Sequence, residues 1–92
     1  MITIYGIPED VGRCYSCKEA IRLCNEYGIE YNFIPVLYNT EDGFDYHRDT
    51  IISLAKLLNK QNLSIMYPQI FIDDKPVGGL SGLKSYIGDI YE

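Results

Sequence analysis

Two cysteines three positions apart, Cys14 and Cys17 within Gly12-Arg13-Cys14-Tyr15-Ser16-Cys17-Lys18, are the residues of this chain best suited to covalent chemistry. They fall where a short apolar run gives way to a helix-like pattern. A helix start favours an anion, through its unbonded N–H groups and the positive end of its dipole. Cys14, just before the first turn, is therefore expected to be the exposed thiolate nucleophile, with Arg13 and Lys18 adding positive charge. Cys17, inside the turn, is expected to keep its proton until it attacks a mixed disulfide formed at Cys14. The spacing lets the two sulfurs bond to each other across the turn.

Zinc sites use the same spacing but need four ligands. Only Cys24 and His47 remain to supply them. Cys24 lies on the apolar side of the helical pattern and reads as a small buried hydrophobe. His47 sits in polar surroundings and reads as a solvated side chain. No metal site is therefore expected. Three cysteines make a poor disulfide framework and fit a reducing compartment better.

The remaining composition narrows the function. Thirteen acidic residues against eight basic ones give a formal charge of −5, which argues against nucleic-acid and anionic membrane surfaces. No run approaches the ~18 apolar residues of a membrane span. The start, Met1-Ile2-Thr3-Ile4-Tyr5, has no basic segment or small-residue cleavage site of the kind that marks a signal peptide. A cytoplasmic monomer is expected, in a cell or in the cytoplasm of an infected host. Its 92 residues suffice for a single domain (1–92) with a modest core.

The elements that must hold the dithiol follow from pattern and punctuation. Met1 to Gly6 is a β-branched and aromatic run, apolar enough to predict a central strand. Pro8 and Gly12 punctuate a loop. Cys17, Ala20, Ile21, Cys24 and Tyr27 then recur at helical spacing, and Gly28 is a natural stop. Glu30 to Val36 predicts a second strand. Leu37 to His47, rich in acidic and turn residues, is expected to be a solvated loop, the other reading being a docking or lid element for a partner protein. Arg48 to Lys60 predicts a second helix with Ile51, Leu54, Ala55 and Leu58 inward, the stripe widened by Ile52 and Leu57. Gln69 to Ile72 and Lys75 to Gly78 form a hairpin about Asp73-Asp74, with Pro76 marking an edge strand. Ser81 is a candidate N-cap for a last helix with Leu83, Ile87 and Ile90 on one face.

The order βαβαββα gives a parallel right-handed crossover followed by an antiparallel hairpin. The expected product is an α/β fold, a four-stranded mixed sheet with three helices packed on both faces. Pro68, just before the third strand, is by default a trans strand-entry proline, and the dithiol upstream shifts the expectation toward a cis bond after Tyr67. A cis bond there would turn the Tyr67 backbone outward, toward an extended peptide.

Together these residues resemble the glutaredoxins of the thioredoxin-like fold, and most of all the short dithiol glutaredoxins encoded by phages. The resemblance rests on Ile4-Tyr5-Gly6, Cys14-Tyr15-Ser16-Cys17, Met66-Tyr67-Pro68-Gln69-Ile70-Phe71 and Val77-Gly78-Gly79-Leu80-Ser81. It implies a cis-proline at Pro68 and a glutathione site made by Arg13, Tyr15, Tyr67, Pro68, Gly78, Gly79 and Ser81. It implies glutathione as co-substrate with no permanently bound cofactor, and disulfide-containing proteins such as ribonucleotide reductase as partners. Ser81 stands where the family often has Asp, and Tyr67 is bulkier than the usual Val or Met. Those departures motivate a second reading, reduction by thioredoxin reductase. A third reading is a module that holds glutathione, an iron–sulfur cluster or a partner protein.

Overall fold

The computed structural model describes residues 1–91. Its scaffold is a four-stranded sheet in the order β2-β1-β5-β6, made of β1 (Ile2–Gly6), β2 (Tyr31–Pro35), β5 (Gln69–Ile72) and β6 (Lys75–Gly78). β1 is central, as its nearly continuous apolar run predicts, and pairs in parallel with β2 and antiparallel with β5. β6 is the edge strand on which Pro76 costs no shared ladder bond. The β5–β6 turn places Asp73 and Asp74 at φ of 50° and 68°, the left-handed pair that a two-residue hairpin uses.

Helix α1 (Tyr15–Glu26) crosses between β1 and β2, and α3 (Leu80–Tyr91) packs beside it. Their buried faces meet Ile2, Ile4, Ile70 and Ile72 of the sheet through Ala20, Cys24, Leu83 and Ile87. Each fully buried aliphatic of that layer contributes about 1.5–3 kcal/mol of transfer free energy. α1 stops where Gly28, at φ 65°, lets the Ile29 N–H reach back to the Cys24 carbonyl. Helix α2 (Arg48–Leu57) covers the other side of the sheet, burying Ile51, Leu54 and Ala55. Phe71 is buried on that side, and its ring meets Tyr5 edge-on at 5.6 Å.

Three expectations need correction. Leu37 to His47 is not a solvated loop but a hairpin, with β3 (Leu37–Thr40) and β4 (Gly43–Tyr46) forming a separate two-stranded sheet. Its turn is Glu41-Asp42, closed by Gly43 at φ 137°, a backbone that suits glycine. Ile52, Leu57 and Ile90 do not extend the buried helix faces; all three are exposed, because the inward stripes are narrower than sequence hydrophobicity indicates. Ser81 is not the cap of α3. The helix starts at Leu80, and the Gly79 carbonyl takes the N–H groups of Gly82 and Leu83, so Ser81 is an exposed residue inside the first turn.

Candidate active site

The loop after β1 is closed by the Pro8 carbonyl, which accepts from the Val11 and Gly12 N–H groups at 3.0 and 3.2 Å. It delivers Cys14 to the N-cap of α1 in extended conformation, φ −141° and ψ 95°. The Cys14 Sγ does there what a Ser or Asp oxygen usually does, accepting the Cys17 N–H at 3.2 Å. Cys14 and Cys17 are joined as a disulfide, with their Cα atoms 5.2 Å apart. Cys14 is half-buried at the surface, whereas Cys17 is 1% exposed. That asymmetry is the one expected for a sulfur that meets substrate and a sulfur that resolves.

Charge near the pair is organised by α1. Lys18 bonds Glu9 of the preceding loop at 2.9 Å. The Tyr15 hydroxyl donates to Glu19 at 2.9 Å, and Arg22 pairs with both Glu19 and Glu26. Accepting from Arg22 and then from Tyr15 holds the Glu19 carboxyl below its ordinary range, and the same carboxylate raises the Tyr15 phenol. Tyr15 is thus drawn along the helix surface, 74% exposed. Glu9, Arg13, Cys14, Tyr15 and Lys18 surround a shallow recess of about 390 Å³ at the exposed sulfur.

Sheet register brings the second group of expected residues to the same end of the molecule. Gln69 is paired with Tyr5, so the Tyr67–Pro68 bond, which is cis, lies beside Gly6 and Ile7. Gly6 in turn lies against Cys17. The register of Ile70 with Gly78 sets Gly78 and Gly79 at that end, and a Cβ on Gly79 would stand 3.5 Å from the Pro68 carbonyl oxygen. Gly78 has φ 86°. Among the described residues, neither the N–H nor the C=O of Tyr67 finds a backbone partner. Burial, and then the neighbouring Tyr46 phenol, push the Tyr67 phenol up.

Cys24 is fully buried in the core, with its thiol raised by desolvation, so it plays the structural part its spacing predicts. His47 is not simply solvated. Its ring lies against Tyr38, tilted by 40° with centres 4.7 Å apart, its backbone N–H bonds the Val36 carbonyl, and its carbonyl accepts the Ile51 N–H at the start of α2. Sequence reasoning missed Leu37, Phe44, Tyr46 and Arg48, which with Tyr67 line a cleft of about 530 Å³. The Asp42-Gly43 pair between aromatic segments was the signal that could have found the hairpin carrying three of them.

No family model matches the chain. It is 42% identical over 73 residues to the uncharacterized 11.8 kDa protein in the Gp55-nrdG intergenic region of Enterobacteria phage T4, covering 79% of this chain and 71% of that protein. This chain belongs to that phage family. Its fold is the glutaredoxin fold. The buckwheat glutaredoxin in complex with glutathione superposes with a TM-score of 0.65 at 18% identity, over 96% of this chain and 68% of the other. Glutaredoxin 1 from Francisella tularensis, complexed with cacodylate, gives 0.65 at 21% identity over 97% and 93%. An Escherichia coli glutaredoxin gives 0.56 at 18% identity over 98% and 95%. Among the described residues, no helix is long and apolar enough to cross a membrane.

Proposed function

We propose that this phage-family chain is a glutaredoxin-type thiol–disulfide oxidoreductase. The observation that carries the proposal is the Cys14–Cys17 disulfide, with the more exposed sulfur capping α1, on a glutaredoxin fold. In the reduced protein the cap position favours Cys14 as the thiolate. That thiolate attacks one sulfur of a substrate disulfide, forming a mixed disulfide at Cys14 and releasing the first substrate thiol. Cys17 gives up its proton and attacks the Cys14 sulfur. The second substrate thiol leaves, and the Cys14–Cys17 bond carries the two electrons' worth of oxidation.

Two molecules of glutathione then return the pair to the dithiol and leave as glutathione disulfide. Support for glutathione is the meeting of Pro68 and Gly78-Gly79 at the dithiol end of the sheet, the open peptide edge at Tyr67, and the glutathione complex of the buckwheat neighbour. The N-terminal end of α3 at Leu80–Ser81 supplies N–H groups for a carboxylate even without an acidic partner at Ser81. Among protein disulfides, ribonucleotide reductase is the substrate that the phage resemblance proposes, and the cytoplasm, of a cell or an infected host, is the compartment.

The test is turnover of a small mixed disulfide coupled to glutathione and its reductase, run beside the same assay with thioredoxin reductase. Turnover with glutathione supports the reading. Turnover with thioredoxin reductase alone replaces glutathione as donor, and turnover with neither overturns the activity.

A further inference from the structure

The two cations at the exposed sulfur are not equally free. Arg13 and Lys18 both line the recess at Cys14, and Glu9 is the carboxylate that lines it with them. The Arg13 guanidinium makes no ion pair among the described residues, whereas the Lys18 ammonium is held by Glu9 at 2.9 Å. The Lys18 N–H donates to the Cys14 carbonyl at 3.1 Å, which sets the lysine one turn along α1. Side chains four apart share a helix face, so Lys18 can serve either the sulfur or the carboxylate. In the disulfide the sulfur carries no charge, and the carboxylate holds the lysine.

Glu9 is presented by a fixed turn. The Pro8 carbonyl takes the Val11 and Gly12 N–H groups, and the Asn39 amide of the hairpin donates to the carbonyl and the carboxylate of Asp10. A carboxylate already held in place meets its partner at a smaller entropy cost than one on a free loop. The other ionisable groups around Cys14 are committed elsewhere. The first turn of α1 has no acidic residue. Asp10 accepts from Asn39, and Tyr15 donates to Glu19, which pairs with Arg22 and is acted on by Lys84 of α3. Across the cis bond, the Tyr67 phenol lies in the cleft with Tyr46. That leaves Glu9 as the carboxylate that sets where the Lys18 charge goes.

We propose that Glu9 is a positioning residue that competes with the Cys14 thiolate for Lys18. It thereby keeps Cys14 less acidic than Arg13, Lys18 and the helix start would make it together. The proposal rests on the oxidoreductase reading and deepens it, since the thiolate is the group that attacks a disulfide. In the reduced protein Cys14 releases its proton to solvent, and Lys18 is then shared between two anions. Removing the Glu9 charge leaves the lysine to the sulfur, and the thiolate forms at lower pH.

The experiment is the pH dependence of iodoacetamide alkylation at Cys14 in the reduced full chain, with the modified residue located by mass spectrometry. It requires no disulfide turnover, so its outcome is separate from that of the coupled assay for the oxidoreductase reading. Both side chains of the ion pair are mostly exposed, so the fold tolerates changes at either. Glu9→Gln is expected to lower the alkylation midpoint by about half a pH unit at low salt, the scale of an exposed ion pair. The shift should shrink as salt screens it. Well below the midpoint the thiolate fraction then rises about threefold. The alkylation rate should rise only about twofold, because a more acidic thiol is a weaker nucleophile. In a Lys18→Met background the same Glu9→Gln change should move the midpoint by less than about 0.2 pH units, since no lysine is left to release. A shift as large in that background as with Lys18 present overturns the proposal, because Glu9 then acts by its own charge alone. An unchanged or raised midpoint in Glu9→Gln with Lys18 present overturns it as well.

Discussion

Gly6 lies flat against Cys17: a Cβ built on Gly6 would stand 3.0 Å from the Cys17 Sγ and 3.1 Å from the Phe33 ring. The last residue of the central strand thus forms the backstop of Cys17, the cysteine proposed to resolve. In the disulfide that sulfur is tethered to Cys14 and cannot swing away, whereas a reduced Cys17 is free to change rotamer. Gly6→Ala is expected to destabilise the oxidised protein by about 1–3 kcal/mol through overpacking, and the reduced protein by less. Urea denaturation of both forms checks this. By linkage the same difference raises the reduction potential of the pair, and an unchanged potential would show that Phe33 alone absorbs the added methyl.

The unequal exposure of the two sulfurs assigns them different losses. Cys14→Ser is expected to abolish reduction of every disulfide, since no other exposed thiol is available in the chain: Cys24 is buried and Cys17 is 1% exposed. Cys17→Ser should stop at the first step, accumulating a Cys14 mixed disulfide with protein substrates while still exchanging glutathione at a small mixed disulfide. Mass spectrometry of the trapped adduct reads this directly. Full turnover of protein disulfides by Cys17→Ser would remove the two-cysteine mechanism.

Much of this arrangement was legible in the sequence, and the physical reason differs by element. The dithiol, Gly28, Pro68 and the Asp73-Asp74 turn are local signals, each fixed by the backbone a residue type permits, and the structure places them as read. The main sheet followed from pattern, because full burial of Ile2 and Ile4 on one side of β1 and partial burial of Thr3 and Tyr5 on the other leave a nearly continuous apolar run. The β3–β4 hairpin did not follow. Its aromatic residues stay half in solvent, so the two-residue alternation is diluted by Asn39, Thr40, Glu41 and Asp42, and acidic composition outweighed the turn signal. Ser81 was misjudged for another reason: a cap is identified by which carbonyl accepts the first helical N–H groups, and Gly79 holds that place. The cleft beneath the hairpin is assembled from three separated segments, and no single stretch of sequence describes it.

Two glycines of α3 make a controlled pair. A Cβ on Gly82 would stand 1.9 Å from the Val77 carbonyl oxygen, a backbone atom that cannot yield, whereas one on Gly88 meets nothing within 4 Å. Gly82→Ala is expected to cost roughly 3 kcal/mol or more by forcing α3 away from β6. Gly88→Ala should instead stabilise by about 0.5–1 kcal/mol, by lowering the backbone freedom lost on folding. Thermal melts of the two variants should therefore move in opposite directions. A matching fall in both would mean that helix propensity and close approach have been assigned to the wrong positions.

Buried Cys24 gives stability a pH dependence whose sign is fixed. Desolvation raises its thiol above the ordinary value of 9.0, so the folded chain keeps a proton that the unfolded chain releases. The contribution is fully present below pH 9.0 and is lost as pH rises from there toward the folded value. Tyr67, raised from 10.0 by burial and by Tyr46, extends the loss above pH 10.0. In the oxidised protein Cys14 and Cys17 do not titrate, leaving Cys24 as the one thiol of three that can. Urea stability of that form should be flat with respect to this thiol near neutrality. Above pH 9 it should fall with a slope of at most about 1.4 kcal/mol per pH unit for the single proton. Cys24→Ala, at a cost of about 1 kcal/mol for the small cavity, should flatten the first part of that fall and leave the part due to Tyr67. An alkaline fall of the same onset and slope in Cys24→Ala would show that the buried thiol does not set it.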